Sequence, residues 1–278
     1  MKIIKEELTI GSDPEFSLRN KHTGELVSAI GLIKGTKAKP YPMDLKGFAM
    51  QVDNVNCEYN IPAVKTVEEF DSALQYGIDY IQRYALPEDV VPCFDASKFF
   101  PDTLLDNDIA REFGCTPSIN AWREEINPSP SPAGNLRSCG FHIHLGYKTN
   151  VEDIMLKFDV VRAMDLFLTV PSMVIDPDTE RRKLYGKAGE MRMTNYGFEF
   201  RCLSSYFNSS SELRKWCFNQ TMLAIDYVNS NPSIESNSEL GQKIQNAINN
   251  NDTNLVYELI DEFKITLPNT QKEYVGIS

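Results

Sequence analysis

Four short stretches of the chain each put ionisable groups along an otherwise apolar, extended run: GSDPEF at 11–16, DNVNCEYNIP at 53–62, GFHIHLG at 140–146 and GFEFRCLSS at 197–205. Read as a strand, GFHIHLG sends Phe141, Ile143 and Leu145 to one face and His142 and His144 to the other, because successive side chains alternate. The first face reads as core. The second holds two of the three histidines in 278 residues, where a strand needing only solubility would use Thr, Lys or Glu. Strands buried on one face belong to antiparallel sheets.

Similar strand-like runs fall near 6–18, 25–30, 47–60, 89–95, 138–147 and 196–206, and helices are interleaved irregularly, without the spacing of parallel crossovers. Thr66 and Glu69 form a capping box ahead of Phe70, Leu74, Ile78 and Ile81, predicting a core-packing helix over 67–84. Asn150 is placed to cap a helix that runs until Pro171 stops it, and Ser210 or Ser211 to start another. Two shorter helices are expected near 236–249 and 252–263. The fold class is therefore α+β with a largely antiparallel sheet. Residues 1–210 are expected to form the sheet domain with its interleaved helices, and 211–278 a helical portion packed on the same domain. Residues 124–136, rich in Pro, Ser and Gly, form a loop before the histidine strand.

A chain of this length with 42% hydrophobic and 24% charged residues buries a full core. No signal peptide or membrane span is indicated, and a cytoplasmic location is expected. Six cysteines without a CxxC pair read as reduced thiols. The net charge of −11, with no basic stripe, opposes contact with nucleic-acid phosphates.

Any one of the four segments is most simply a solvated strand face. All four are explained together by a shared polar cavity. Carboxylates facing such a cavity suit hard divalent cations, which take oxygen ligands at about 2.0–2.1 Å in the case of Mg²⁺, while Arg forks neutralise phosphoryl charge. The run RRKLYGKAGEMR supplies Arg181, Arg182, Lys183, Lys187 and Arg192 just before Glu199 and Arg201, although alone it is an ordinary basic loop. Lys34, Lys37 and Lys39 in the loop 31–45 can meet an anionic group or lie exposed. A two-His-plus-Glu zinc or iron site made of His142, His144 and Glu199 is the competing reading, that of a metal-dependent hydrolase. A third is a binding protein that has lost catalysis. The cues for serine hydrolases, P-loops and dinucleotide folds are missing.

The ordered set GSDPEF, DNVNCEYNIP, RSCGFHIHLGY and YGKAGEMRMTNYGFEFRCLSS, with FGCTPSINAW at 113–122, resembles the phage-type COOH-NH2 ligase (amidoligase) family of the glutamine synthetase and γ-glutamylcysteine synthetase superfamily. The resemblance spans about residues 11–206. It implies a curved antiparallel sheet with helices on its convex face, holding ATP and two or more Mg²⁺ or Mn²⁺ ions on the concave side. By motif, Asp13 and Glu15 match an acidic pair, one for each metal. Glu58 matches a further ligand, and His142 and Glu199 match ligands of the phosphate-side metal. His144 lies near the transferring phosphate. Arg201, with Arg181, Arg182, Arg192 and Lys187, is implied to bind ATP phosphates or the substrate carboxylate. Asp53 is the candidate partner of Glu58. The implied reaction joins a small-molecule or peptide carboxylate to an amine through an acyl phosphate. Two departures stand out. Asp13 replaces the usual Glu, implying a longer or water-bridged contact, and Pro14 removes a ladder donor, so a bulge or an edge position is expected there.

Overall fold

A computed structural model describes residues 2–111, 118–128, 134–176 and 178–269. Its strands form two open antiparallel sheets and a small ribbon. The first sheet has the order Thr9–Ser12, Ile143–Gly146, Gly197–Phe200, Glu190–Thr194, Ile119–Asn120 and Glu125–Ile126. The second runs Leu26–Val27, Glu15–Asn20, Asn56–Asn60, Ala49–Asp53, Lys39–Pro42 and Gly35–Thr36, with Val90–Cys93 also pairing Glu15–Asn20. Leu136–Ser138 and Ser97–Phe99 make the ribbon. The architecture is α+β and antiparallel, as the alternation predicts.

One continuous strand over 6–18 does not form, and the reason is Pro14. The chain pairs with the histidine strand through Ser12 and with Asn56–Asn60 from Glu15 onward, so it passes from one sheet to the other at Asp13 and Pro14. A residue without an N–H loses nothing at such a corner. Backbone groups on either side are paired: Ile61 N–H donates to Ser12 O at 3.1 Å, Tyr59 N–H to Pro14 O at 3.2 Å, and Glu15 N–H to Gly140 O at 2.9 Å. Pro14 thus marks the corner at which the chain passes from one antiparallel sheet to the other.

The apolar alternation settles which face is core. Phe141, Ile143, Leu145, Phe198 and Phe200 are fully buried and share one hydrophobic cluster with the helices. Helix Val67–Tyr84 carries the predicted capping box, with Thr66 and Glu69 bonding reciprocally. Its Phe70 ring lies 6.3 Å from Phe141 and 5.7 Å from Phe218 of helix Ser211–Ser230, so the first helix packs on the histidine segment and the second packs on the first. Ser210 caps that second helix. Glu239–Asn249 and Thr253–Glu262 follow it.

The helix Ile154–Met164 differs from expectation at both ends. Its N-cap is Asp153, whose carboxylate accepts from Leu156 N–H, whereas Asn150 occupies a left-handed turn at φ 64°. Pro171 does not end it. A π-helical stretch at Asp165–Thr169 precedes Val170–Ile175, and Val170 N–H reaches back five residues to Asp165 O. The widened turn moves the carbonyl that a proline ring would strike. Cys57, Cys93, Cys139, Cys202 and Cys217 are buried free thiols, and Cys115 lies outside the described residues. Among the described residues no helix is long and apolar enough to cross a membrane.

Candidate metal and phosphate site

Sheet register builds the site. Across the first sheet Gly11 faces His144, His144 faces Glu199, and Glu199 faces Arg192. Across the second, Glu15 faces Glu58 and Glu58 faces Gln51. Asp13, at the corner, joins the two rows.

In the first row Asp13, His144 and Glu199 each bring a ligand atom within 4.8 Å of the others. His142 Nδ1 lies 3.0 Å from Asp13 Oδ1 and 3.3 Å from Glu199 Oε1, and His144 Nε2 lies 3.0 Å from Asp13 Oδ1. Glu199, 1% exposed, accepts from Arg192 Nε at 2.6 Å and is paired with Arg201. Burial alone would raise the Asp13 carboxyl, but the flanking His144 and His142 overcome it and hold it well below the usual range. Burial pulls the His144 imidazole down, while the Asp13 carboxylate outweighs it and leaves the imidazole raised.

The second row groups Glu15, Asp53 and Glu58, again with ligand atoms within 4.8 Å. Here cations are scarce. Burial raises both glutamates, and Glu58 is pushed well above the ordinary range by burial together with Asp13, Asp53 and Glu15. Lys37, in the turn between Gly35–Thr36 and Lys39–Pro42, bonds Asp53 at 2.7 Å. Burial works against that ammonium, yet the acids beside it hold it above its ordinary value.

Gly140 is required where it stands. A Cβ there would land on His142 Nε2 and come within 3.1 Å of Arg181 Nη2. Its N–H donates to Glu15 Oε2 at 2.8 Å, fastening the start of the histidine segment to the second sheet.

The structure therefore brings Asp13, Glu15, Asp53, Glu58, His142, His144, Arg192, Glu199 and Arg201 together. The rest of the basic run goes elsewhere. Arg181 is buried beneath the strands, its guanidinium donating to the carbonyls of Cys139, Arg201 and Cys202. Arg182 donates to Asp178 O at 2.6 Å and lines a small recess with Asp176 and Ser204, and Lys187 is exposed. The third histidine, His22, is exposed in a turn. Sequence reasoning passed over two groups. Tyr196, in the turn Asn195–Tyr196, is hydrogen-bonded through its hydroxyl to His144 Nδ1 at 2.8 Å. Gln51 faces Glu58 and bonds its side chain. The alternation in AMQVD marks Gln51 as sharing a face with Asp53.

Among solved structures, the bifunctional glutathione synthetase from Pasteurella multocida is 11% identical over 94% of this chain and 47% of its own, with a TM-score of 0.40. Glutamine synthetase from Plasmodium falciparum is 11% identical over 84% of this chain and 55% of its own, at 0.42. A novel glutamine synthase homolog is 10% identical over 92% and 64%, at 0.34. The chain thus spans less than two thirds of the length of each. No curated protein matches it in sequence. The family model for the phage phiEco32-like COOH.NH2 ligase-type 2 proteins matches residues 132–275, just over half of the chain and the part that carries the histidine strand, Arg192, Glu199 and Arg201, and the chain belongs to that family.

Proposed function

We propose that the chain is an ATP-dependent carboxylate–amine ligase acting through an acyl phosphate. The observation that carries this is the pair of carboxylate clusters, Asp13–His144–Glu199 and Glu15–Asp53–Glu58, side by side at one corner with Arg192 and Arg201 on Glu199. Family membership supports it.

The donors fit the divalent ions. Glu15, Asp53 and Glu58 offer oxygen only, and three carboxylates this close, one of them buried, suit a hard divalent cation. Asp13, Glu199 and an imidazole would hold a second ion. Such ions, when bound, neutralise charge on transferring phosphoryl groups. The chain's own groups do the rest. Arg192 and Arg201 have the planar forks that match phosphate or carboxylate oxygens, and the rigid strand register fixes their positions. A carboxylate oxygen takes the γ-phosphoryl group and ADP leaves. The amine nitrogen then bonds to the acyl carbon, phosphate departs, and the amine loses a proton. No enzyme nucleophile is needed, and burial keeps the thiols of Cys57, Cys139 and Cys202 far from the thiolate form. Reduced thiols fit a cytoplasmic protein. The oxygen-only cluster favours Mg²⁺ or Mn²⁺ over the zinc of the hydrolase reading.

Hydroxylamine tests the reading, since it replaces the amine and converts an acyl phosphate to a stable hydroxamate. Incubation with ATP, Mg²⁺ and a panel of amino-acid and peptide carboxylates should give hydroxamate in equal amount to ADP. ATP consumed with no carboxylate dependence, or no consumption at all, would overturn it.

A further inference from the structure

The segments that carry His142 and Arg201 do not keep one register. Their ladder pairs Ile143 with Phe200, yet further along Gly140 pairs with Ser204. Phe141 and His142 therefore lie opposite Arg201, Cys202 and Leu203, which is one residue more. An extra residue of this kind is a β-bulge, which bends its strand and re-aims its side chains. Pairing resumes beyond it, since Phe141 N–H donates to Leu203 O at 3.0 Å and Ser205 N–H to Cys139 O at 2.9 Å.

Arg181 sits against this bulge. Its Nη2 donates to Arg201 O at 3.2 Å, its Nη1 to Cys202 O at 3.1 Å and its Nε to Cys139 O at 3.3 Å. One rigid fork of N–H donors thus ties two carbonyls of the bulge to the segment that leads to His142. The side chain is 4% exposed, and two glycines make its room. A Cβ at Gly186 would lie 2.4 Å from Nη1, and one at Gly140 3.1 Å from Nη2. Gly186 is itself fixed, its N–H donating to Glu190 Oε2 at 2.5 Å, and Arg201 N–H donates to Glu190 O at 3.0 Å. These contacts set the backbone that carries Arg201, whose guanidinium meets Glu199 in the site.

A buried guanidinium bonded to carbonyls from two segments is spent on geometry. We infer that Arg181 is a positioning residue for Arg201: its fork holds the bulge, and the bulge aims the Arg201 guanidinium at the phosphate oxygens of the nucleotide. Arg181 thus serves the phosphates from beneath the strands, without touching them. The inference rests on the proposed ligase reading, in which Arg201 binds the anion.

The test is a double-mutant cycle on binding of a non-hydrolysable ATP analogue with Mg²⁺, read by calorimetry, with melting temperature as the folding control. Arg181→Lys keeps the charge without the fork and should weaken binding about 10-fold or more, the worth of one well-aimed hydrogen bond to a charged group. Arg201→Met should weaken it at least as much. Adding Arg181→Lys to Arg201→Met should then cost about twofold or less, because the group that Arg181 aims is already gone. Gly186→Ala pushes a methyl against Arg181 Nη1, should reproduce both results, and carries the test if Arg181→Lys does not fold. Wild-type affinity in any of these folded single variants, or losses that add in full to that of Arg201→Met, would overturn the inference alone. A wild type that binds no analogue would overturn the ligase reading and this inference with it.

Discussion

Replacing Glu199 by Gln tests how the site is held together before any ligand arrives. Glu199 is 1% exposed, and its oxygens serve Arg192 and Arg201. The substitution keeps the shape and removes the charge. Breaking a buried pair from one side costs about 3–5 kcal/mol, because the partner charge is left without compensation. The two arginines are not equivalent. The Arg201 side chain is only 9% exposed and cannot recover its hydration, whereas Arg192, at 35%, turns toward water. The lower end, about 3 kcal/mol, is expected. At about 2–4 °C per kcal/mol for a chain of this size, melting should fall by roughly 6–12 °C. Thermal and urea unfolding of wild type, Glu199→Gln and Glu199→Gln/Arg201→Met, all in chelator, measure it. The double variant should recover part of the loss, since it removes the guanidinium that Glu199 had neutralised. A single-variant loss below about 1 kcal/mol, the range of surface pairs, would refute the reasoning.

Other outcomes follow from the same geometry. Gly140→Ala should abolish Mn²⁺ binding at the Asp13 cluster, because the new methyl displaces His142; unchanged binding isotherms would count against the packing described. Lys37→Met removes the ammonium beside Asp53 and should lower stability in chelator by about 1 kcal/mol or less, as the pair is partly exposed. Added Mg²⁺ should then raise the melting temperature more in the variant than in wild type. Asp165 is buried in the π-helical stretch, accepting from Trp122 Nε1 and Gly189 N–H at 2.6 Å, and burial lifts its carboxyl to about 6. The folded state therefore binds this proton more tightly than the unfolded one. Its contribution is present below the ordinary aspartate range and is lost as pH rises through about 6, a change of roughly 3 kcal/mol. Urea midpoints from pH 4 to 7 should show that fall in wild type and a flatter profile in Asp165→Asn.

What was readable from the chain was mostly local. The Thr66–Glu69 capping box marked its helix, and Phe-His-Ile-His-Leu declared which face was core, because both signals act within one turn or one strand. Glu199 and Arg201 were readable for the same reason. Pro14 was legible as a ladder break but not as a corner, since that depends on which distant strands pair on either side of it. The choice of Asp153 over Asn150 as cap turned on a left-handed turn that either sequence permits. Pro171 read as a stop because nothing in the sequence announces a π turn. Arg181 and Arg192 sit in one basic run, and only the fold sends the first under the strands and the second to Glu199. Tyr196 carried no signal beyond its place in an Asn-Tyr-Gly turn, because its role depends on a histidine from another strand.

The most direct measurement is isothermal titration of a non-hydrolysable ATP analogue into wild type and Asp13→Asn, with Mg²⁺ and with chelator. Binding that requires Mg²⁺ in wild type and is lost in the variant is the predicted result. Nucleotide binding indifferent to both metal and Asp13, or no nucleotide binding by a protein that retains zinc, would contradict the ligase account.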